Sequence, residues 1–244
     1  MDDLERLALQ AATNFVLSES GRILRTNAPD SASAPRVRLA WCSLGSVLRF
    51  RHDVGGETAR TIAGLLAREP GTVDLESTPA HLDECLTLLA TEAPVERCEP
   101  GFTWAFPARL DYPHPATLVR SDTADGDRLL ARLAADGMPR ALVELGFVDT
   151  GEFWPPWCVA LDGNEVASIA FAARLSSAAA ETGVATVSAF RSRGFAAAAT
   201  AGWASHPALR GRALFYSASH ANVSSQQVAS RLGLRPLAAT MAIT

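Results

Sequence analysis

Lysine is absent from the 244 residues, and all 22 basic side chains are arginine. Chemistry that runs through a lysine Schiff base is therefore excluded, as is a Walker-type phosphate loop, whose lysine reaches the phosphates. The bias accompanies abundant alanine, as GC-rich coding would produce, and carries no functional weight. Cysteine is scarce: Cys42, Cys85, Cys98 and Cys158 form no C-x-x-C pair, and no two histidines have zinc-ligand spacing. Reduced, structural thiols and no metal are expected. Charge is sparse as well, with 20% charged residues and a formal net charge of −4. Nucleic-acid binding would call for a basic stripe, so nucleic acid is not an expected partner. The chain has no apolar run of about 18 residues, and its acidic opening, Met1-Asp2-Asp3-Leu4-Glu5, lacks the basic start of a signal peptide. A cytoplasmic location without a membrane partner is the expectation. G-x-S-x-G, H-E-x-x-H and G-x-G-x-x-G are missing too, which removes the common hydrolase, zinc-protease and dinucleotide signatures.

What is present is a 48% apolar chain, long enough for one large domain or two small ones. Apolar spacing predicts a helix over Asp2–Ser18, with Leu4, Leu7, Leu9, Ala11, Phe15 and Val16 on its inner side. A Pro/Ser/Ala-rich loop at 27–35 follows, then strands at Val37–Trp41 and Val47–Arg51. Helices are predicted over Glu57–Arg68, stopped by Glu69-Pro70-Gly71, and over Thr78–Thr91 with Pro79 in the first position. A further strand is predicted at Phe102–Phe106. In Asp111-Tyr112-Pro113-His114-Pro115 the alternating prolines permit neither helix nor ladder, which places a domain boundary after Tyr112. The expected domains are therefore 1–112, an α+β unit without a motif, and 113–244.

The second half alternates strands and helices. Strands are predicted at Thr117–Arg120, Trp157–Leu161, Val166–Arg174, Val184–Val187, Ala213–Ser217 and Leu237–Ile243. Helices fall at Ser121–Ala135, Pro139–Leu145, Phe195–Ser205 and Ser224–Leu232. The order β-α-α-β-β-β-α-β-α-β defines an α/β sheet domain.

The informative segment is Phe190-Arg191-Ser192-Arg193-Gly194-Phe195-Ala196, where a strand feeds a helix. Such a junction offers main-chain N–H groups at the positive end of the helix dipole, which suits a diphosphate. Gly194 permits a positive φ and close approach, and Arg191 and Arg193 add charge at the rim. The residues themselves equally permit a plain turn with solvated arginines. The next strand-to-helix junction holds Asn222, eleven residues before Gly233.

Arg191-x-x-Gly194-x-Ala196, followed by Asn222 and Gly233 in this strand order, resembles the GCN5-related N-acetyltransferases, and the resemblance covers Thr117–Thr244. It implies an α/β fold with a mixed, mostly antiparallel central sheet flanked by helices, and acetyl-CoA as cosubstrate. It also implies that the loop Arg191, Ser192, Arg193, Gly194, Phe195, Ala196 binds the diphosphate through main-chain amides. Thr186, Val187 and Ser188 would form the strand bulge along the pantetheine arm, although Ser188 stands where relatives often carry proline. Asn222 would contact the pantetheine, with Ser225 on the same wall; helix capping is the plainer role for Asn222. Glu181 resembles the glutamate that serves some relatives as general base, against the alternative of an exposed acid in a turn. Relatives often have a tyrosine seven residues after the asparagine, where this chain has Ala229. Tyr216, Ser217 and His220 are the substitute proton donors, with Tyr216 preferred.

Phe153-Trp154-Pro155-Pro156-Trp157 is placed to line an acceptor pocket through Trp154 and Trp157, or else to plug the space between the two halves. The segment Arg49-Phe50-Arg51-His52 alternates charge as a solvated strand face does. The N-terminal half is either a degenerate copy of the same fold or a cap over the acceptor site. No cysteine lies near the markers, which favours direct attack in a ternary complex over a covalent acyl-enzyme. The expected activity is transfer of an acetyl group to a primary amine of a small molecule, by a monomer or homodimer. Two rivals are a non-catalytic acyl-CoA sensor and an interaction protein pairing through Leu237–Ile243.

Overall fold

The computed structural model describes residues 1–29, 33–68, 76 and 78–244; the helix stop expected at Glu69-Pro70-Gly71 lies outside them. The chain forms two compact units. One comprises 1–104, 217–223 and 236–244, the other 105–216 and 224–235. The expected cut after Tyr112 falls eight residues beyond the first crossing, and the C-terminal strand returns to the first unit because it pairs there with an early strand.

In the first unit, α1 (Asp3–Asn14) begins on a capping box in which Asp2 accepts from the Glu5 N–H and Glu5 from the Asp2 N–H. It stops four residues before the predicted end. Phe15-Val16-Leu17 is instead β1 (Phe15–Leu17), a hairpin with β2 (Ile23–Thr26). An aromatic and a β-branched residue beside a glycine turn pair more favourably as a strand than they extend a helix. The strands β3 (Val37–Cys42) and β4 (Gly45–Phe50) pair antiparallel, followed by α2 (Gly56–Leu66), α3 (Leu82–Ala90) and β5 (Cys98–Ala105). Pro79 is not the first helical residue, since α3 starts three residues later, after a turn in which the Leu82 N–H donates to the Pro79 carbonyl at 3.1 Å. Ile62, Leu65 and Leu66 of α2 and Cys85 and Leu89 of α3 pack on Val37, Leu39, Met241 and Ile243. Buried Arg36 donates to the carbonyls of Leu89 and Ala93 at the end of α3 (3.0 and 2.9 Å), supplying partners that a helix end lacks.

The second unit opens with β6 (Thr117–Arg120), α4 (Ala124–Asp136) capped by Thr123, and the short α5 (Arg140–Val143). Then come β7 (Trp157–Asp162), β8 (Glu165–Leu175), β9 (Ala179–Thr186), α6 (Phe195–Ala204), β10 (Ala213–Ser219), α7 (Val223–Arg231) and the C-terminal β11 (Arg235–Ile243). Strand order in this unit is β10-β9-β8-β7-β6, antiparallel except for the β9–β10 pair. In the first unit the order is β4-β3-β11-β5. Both edges of β11 are thus paired within the chain, so Leu237–Ile243 does not offer the free edge that a strand-to-strand dimer needs.

One sheet face in the second unit carries Val119, Trp157, Val159 and Ile169 beneath Leu129 and Leu133 of α4 and Leu142 of α5. The other face is covered by α6, packed on β7, β8 and β9. Helix α6 is alanine-rich and buried on all sides from Ala197 to Trp203. Small side chains let it sit close to the sheet: a Cβ on Gly202 would collide with the Cys158 sulfur and lie 3.1 Å from Leu118. Overpacking of this kind costs about 1–3 kcal/mol. We expect Gly202→Ala to lower the unfolding free energy measured by urea denaturation by that amount. Adding Cys158→Ala should restore part of the loss, so additive losses in the double variant would show that the two residues do not share one space.

Candidate functional site

Strand β9 starts earlier than predicted: the expected alanine-serine turn is confined to Ser176–Ala178, and the chain from Ala179 on is strand, paired with β8 from Ala180. Glu181 therefore lies inside the strand at 7% exposure, not in an exposed turn. Its neighbour β10 pairs with β9 over three residues only, the last being Phe215 against Glu181. Beyond that point Thr182–Thr186 has a strand partner on the β8 side alone. Tyr216, the next residue of β10, is 1% exposed, and the side chains of Ser225 in α7 and Glu181 act electrostatically on its hydroxyl. Burial raises the Tyr216 pKa above the usual tyrosine value, the Ser225 side chain lowers it, and the Glu181 charge raises it. The phenol thus stays protonated through the neutral range. Glu181, Tyr216 and Ser225, spread over 45 residues of sequence, are thus electrostatically coupled.

At the far end of β9, Ser188–Phe190 forms one 3-10 turn before the junction. Ser192 has φ +62° and Gly194 φ +88°, two left-handed residues one apart. Among the described residues, the N–H groups of Ser192, Arg193, Gly194, Phe195 and Ala196 take part in no hydrogen bond. Alternating left-handed residues at a helix start turn consecutive N–H groups toward one point, a concavity suited to an anion. About 20 Å of strand, at roughly 3.3 Å per residue, separates this junction from Glu181.

The two arginines do different work. Arg191 is exposed and, among the described residues, makes no ion pair. Arg193 is not a free rim charge: it pairs with Asp162 at 2.8 Å and lies over the rings of Phe190 and Phe195 at 5.4 and 5.0 Å. A strap that sequence reasoning treated only as a boundary also reaches the junction. His114 lies 3.0 Å from the Arg193 carbonyl through Nε2 and accepts from the Ala116 N–H through Nδ1, so Nε2 is its donor. A Cβ on Gly194 would meet His114 and the Tyr112 hydroxyl at 3.0 and 3.1 Å. The close approach that requires glycine here is thus made by the chain itself. The signal was present in Pro113 and Pro115, which hold the strap extended.

Trp157 does not line a pocket. It is 2% exposed, in the core beneath α4, because the strand residue after Pro156 faces the helix layer. Trp154 is half-buried and edge-on to Phe171 at 5.6 Å, at the end of an aromatic row through Phe147 and Phe153. That row lies within the second unit, and Phe171 fills the space where Gly183 lacks a side chain. Asn222, exposed, directly precedes α7 and belongs to the first unit. Ser217 also lies there, bonded to Thr103 and Gln10, and His220 bonds Glu76 at 2.9 Å.

Among the described residues no three His, Cys, Asp or Glu side chains group as metal ligands. All four cysteines are free; three are buried, and burial pushes the Cys158 thiol up to about 12. Ser121, His206 and Asp122 come together in the order of a nucleophilic triad, but the bonds point the wrong way. His206 Nδ1 accepts from the Ala208 N–H at 3.1 Å, so Nε2 donates toward Ser121 (2.9 Å) and Asp122 (3.3 Å). A histidine that donates to the serine does not take its proton.

No protein-family model matches the chain, and no curated protein matches it. Among solved structures it is similar to a GCN5-related N-acetyltransferase-like protein from Streptococcus suis (17% identity, 99% of this chain and 100% of that one, TM-score 0.47). It is also similar to a GNAT-family acetyltransferase from Colwellia psychrerythraea (13%, 99% and 96%, 0.45). A third is a GNAT-family protein from Novosphingobium aromaticivorans (22%, 61% and 65%, 0.39), of which the chain spans less than two thirds.

Burial lowers the His206 pKa below the usual histidine value, outweighing the attraction of Asp122. Stability from this site is complete above pH 6.5 and declines as pH falls toward the folded value, because the unfolded chain binds the proton first. His206→Gln should flatten the urea midpoint between pH 7 and 5 relative to the parent; an unchanged slope would place the acid sensitivity elsewhere.

Proposed function

We propose that the protein is an acyltransferase that moves an acetyl group from acetyl-CoA to a primary amine of a small molecule, by direct attack in a ternary complex. The supporting observation is the parting of β9 from β10 between an anion-suited junction and the Glu181–Tyr216–Ser225 group. A donor with a diphosphate at one end and a reactive group on a long arm matches both ends of that edge. The sequence resemblance assigns the same segments to the same roles.

In this reading the junction amides of Ser192 to Ala196, with Arg191, hold the diphosphate. The unpaired edge of β9 around Thr186, Val187 and Ser188 aligns the arm. Glu181 accepts the proton that the attacking amine loses as its nitrogen bonds to the thioester carbon. The carbon–sulfur bond then breaks, and the thiolate takes a proton from Tyr216, directly or through the half-buried Ser225 hydroxyl. Tyr216 thus fills the place that Ala229, fully buried in α7, leaves without a hydroxyl. The products are an acetamide and free coenzyme thiol. Trp154 borders the acceptor, and the location is cytoplasmic. Arg193 supports the loop from beneath.

Acetyl-CoA with a panel of primary amines should release free thiol, measured colorimetrically. Coenzyme binding without release would support the sensor alternative, which the buried Ala229 favours; absence of binding would end both. Glu181→Gln should lower turnover about 100-fold with acetyl-CoA affinity nearly unchanged. An unaltered rate and pH profile would put the base elsewhere. Arg191→Ala should weaken coenzyme A binding about tenfold in calorimetry while leaving the thermal midpoint in place, and parent-like affinity would remove the diphosphate assignment.

A further inference from the structure

A cavity of about 450 Å³ opens in the second unit between the C-terminal end of α4, the start of α5, the β7–β8 turn and the 3-10 turn Ser188–Phe190. Its volume falls within the roughly 300–1,000 Å³ of small-molecule sites. The floor is apolar: Leu133, Leu142, Val166 and Val187 are buried, and Phe190 forms one wall. Two acids, Asp136 and Glu165, stand at the rim, and among the described residues neither makes an ion pair. Arg132 also lines the cavity, its guanidinium donating at 3.0 Å to the carbonyl of Asn164, another lining residue, so the lining carries two carboxylates against one engaged guanidinium. The nearby Asp162 is already paired with Arg193.

We propose that this cavity binds a small organic cation, an ammonium group on an aryl or alkyl body, at a site separate from the acyl donor's. The apolar body displaces water from the Leu133–Leu142–Val187 floor, and the ammonium group sits between Asp136 and Glu165. Anions are disfavoured by those same carboxylates, and neutral molecules forfeit the charge contact. The site is distinct from the proposed base, because Val187, just past β9, and Glu181 are six residues apart along the strand, about 20 Å at strand spacing; it is distinct from the donor's, because Val187 gives the cavity its buried side chain and the arm only its main-chain edge. An occupant touches Phe190, whose ring is edge-on to Phe195 at 5.7 Å and beneath Arg193, so it contacts the wall that also supports the junction.

Calorimetry with 2-phenylethylammonium as probe tests this on the intact chain. The expected result is saturable binding that weakens about tenfold in Asp136→Asn/Glu165→Gln and as strongly in Ala141→Phe, which fills the cavity from α5. Circular dichroism and thermal midpoint confirm that each variant is folded; the double variant changes only exposed rim residues. Phenylacetate should bind at least tenfold more weakly than the cation. The proposal is overturned by no saturable binding, by parent-like affinity in the double variant, by equal affinity for phenylacetate, or by competition from coenzyme A. Thiol release plays no part in this readout, so failure here leaves acetyl transfer standing, and the converse also holds.

Discussion

Three parallel backbone pairs, Ala179–Glu181 against Ala213–Phe215, are all that join β9 to β10, and the candidate site depends on that short ladder. It places Glu181 beside Tyr216 with one edge of β9 left open beyond them. A longer ladder would consume the main-chain groups along which a donor arm could lie. A shift of one residue would turn Glu181 to the opposite face, since strand side chains alternate. Ser225, from the helix that follows β10, acts electrostatically on the same Tyr216 hydroxyl.

The second constraint is the close seating of α6. Its alanines and Gly202 allow the helix near Cys158 and Leu118, and that seating aims its first turn. The junction before it is then held from several directions: His114 at the Arg193 carbonyl, Asp162 at the Arg193 guanidinium, and Phe190 and Phe195 beneath. Positive φ at Ser192, unfavourable for a residue with a side chain, persists because these contacts over-determine the loop. A loop held this way is rigid in advance, so a ligand that it takes meets a lower entropic cost.

The cavity over Leu133, Leu142 and Val187 belongs to the same economy of space. The short α5 covers the sheet only in part, and the β7–β8 turn supplies the remaining wall. Its floor residues are ordinary core residues in the sequence, so nothing in their spacing marks them as a site.

Several features follow from local chemistry and were legible in the chain alone. The strand and helix order of the second half, the glycine at the junction with its positive φ, and the exclusion of lysine chemistry all depend on residue type and near-neighbour spacing. The end of α1, the start of α3 and the true length of β9 did not, because pairing partners distant in sequence decided them over local propensity. Tertiary structure alone determined that Trp157 is core, that Arg193 is engaged while Arg191 is not, and that Glu181, Tyr216 and Ser225 meet. The physical reason is that backbone conformation at a turn is set within a few residues. A side chain's neighbours across a sheet are instead set by register, and no single segment contains that information.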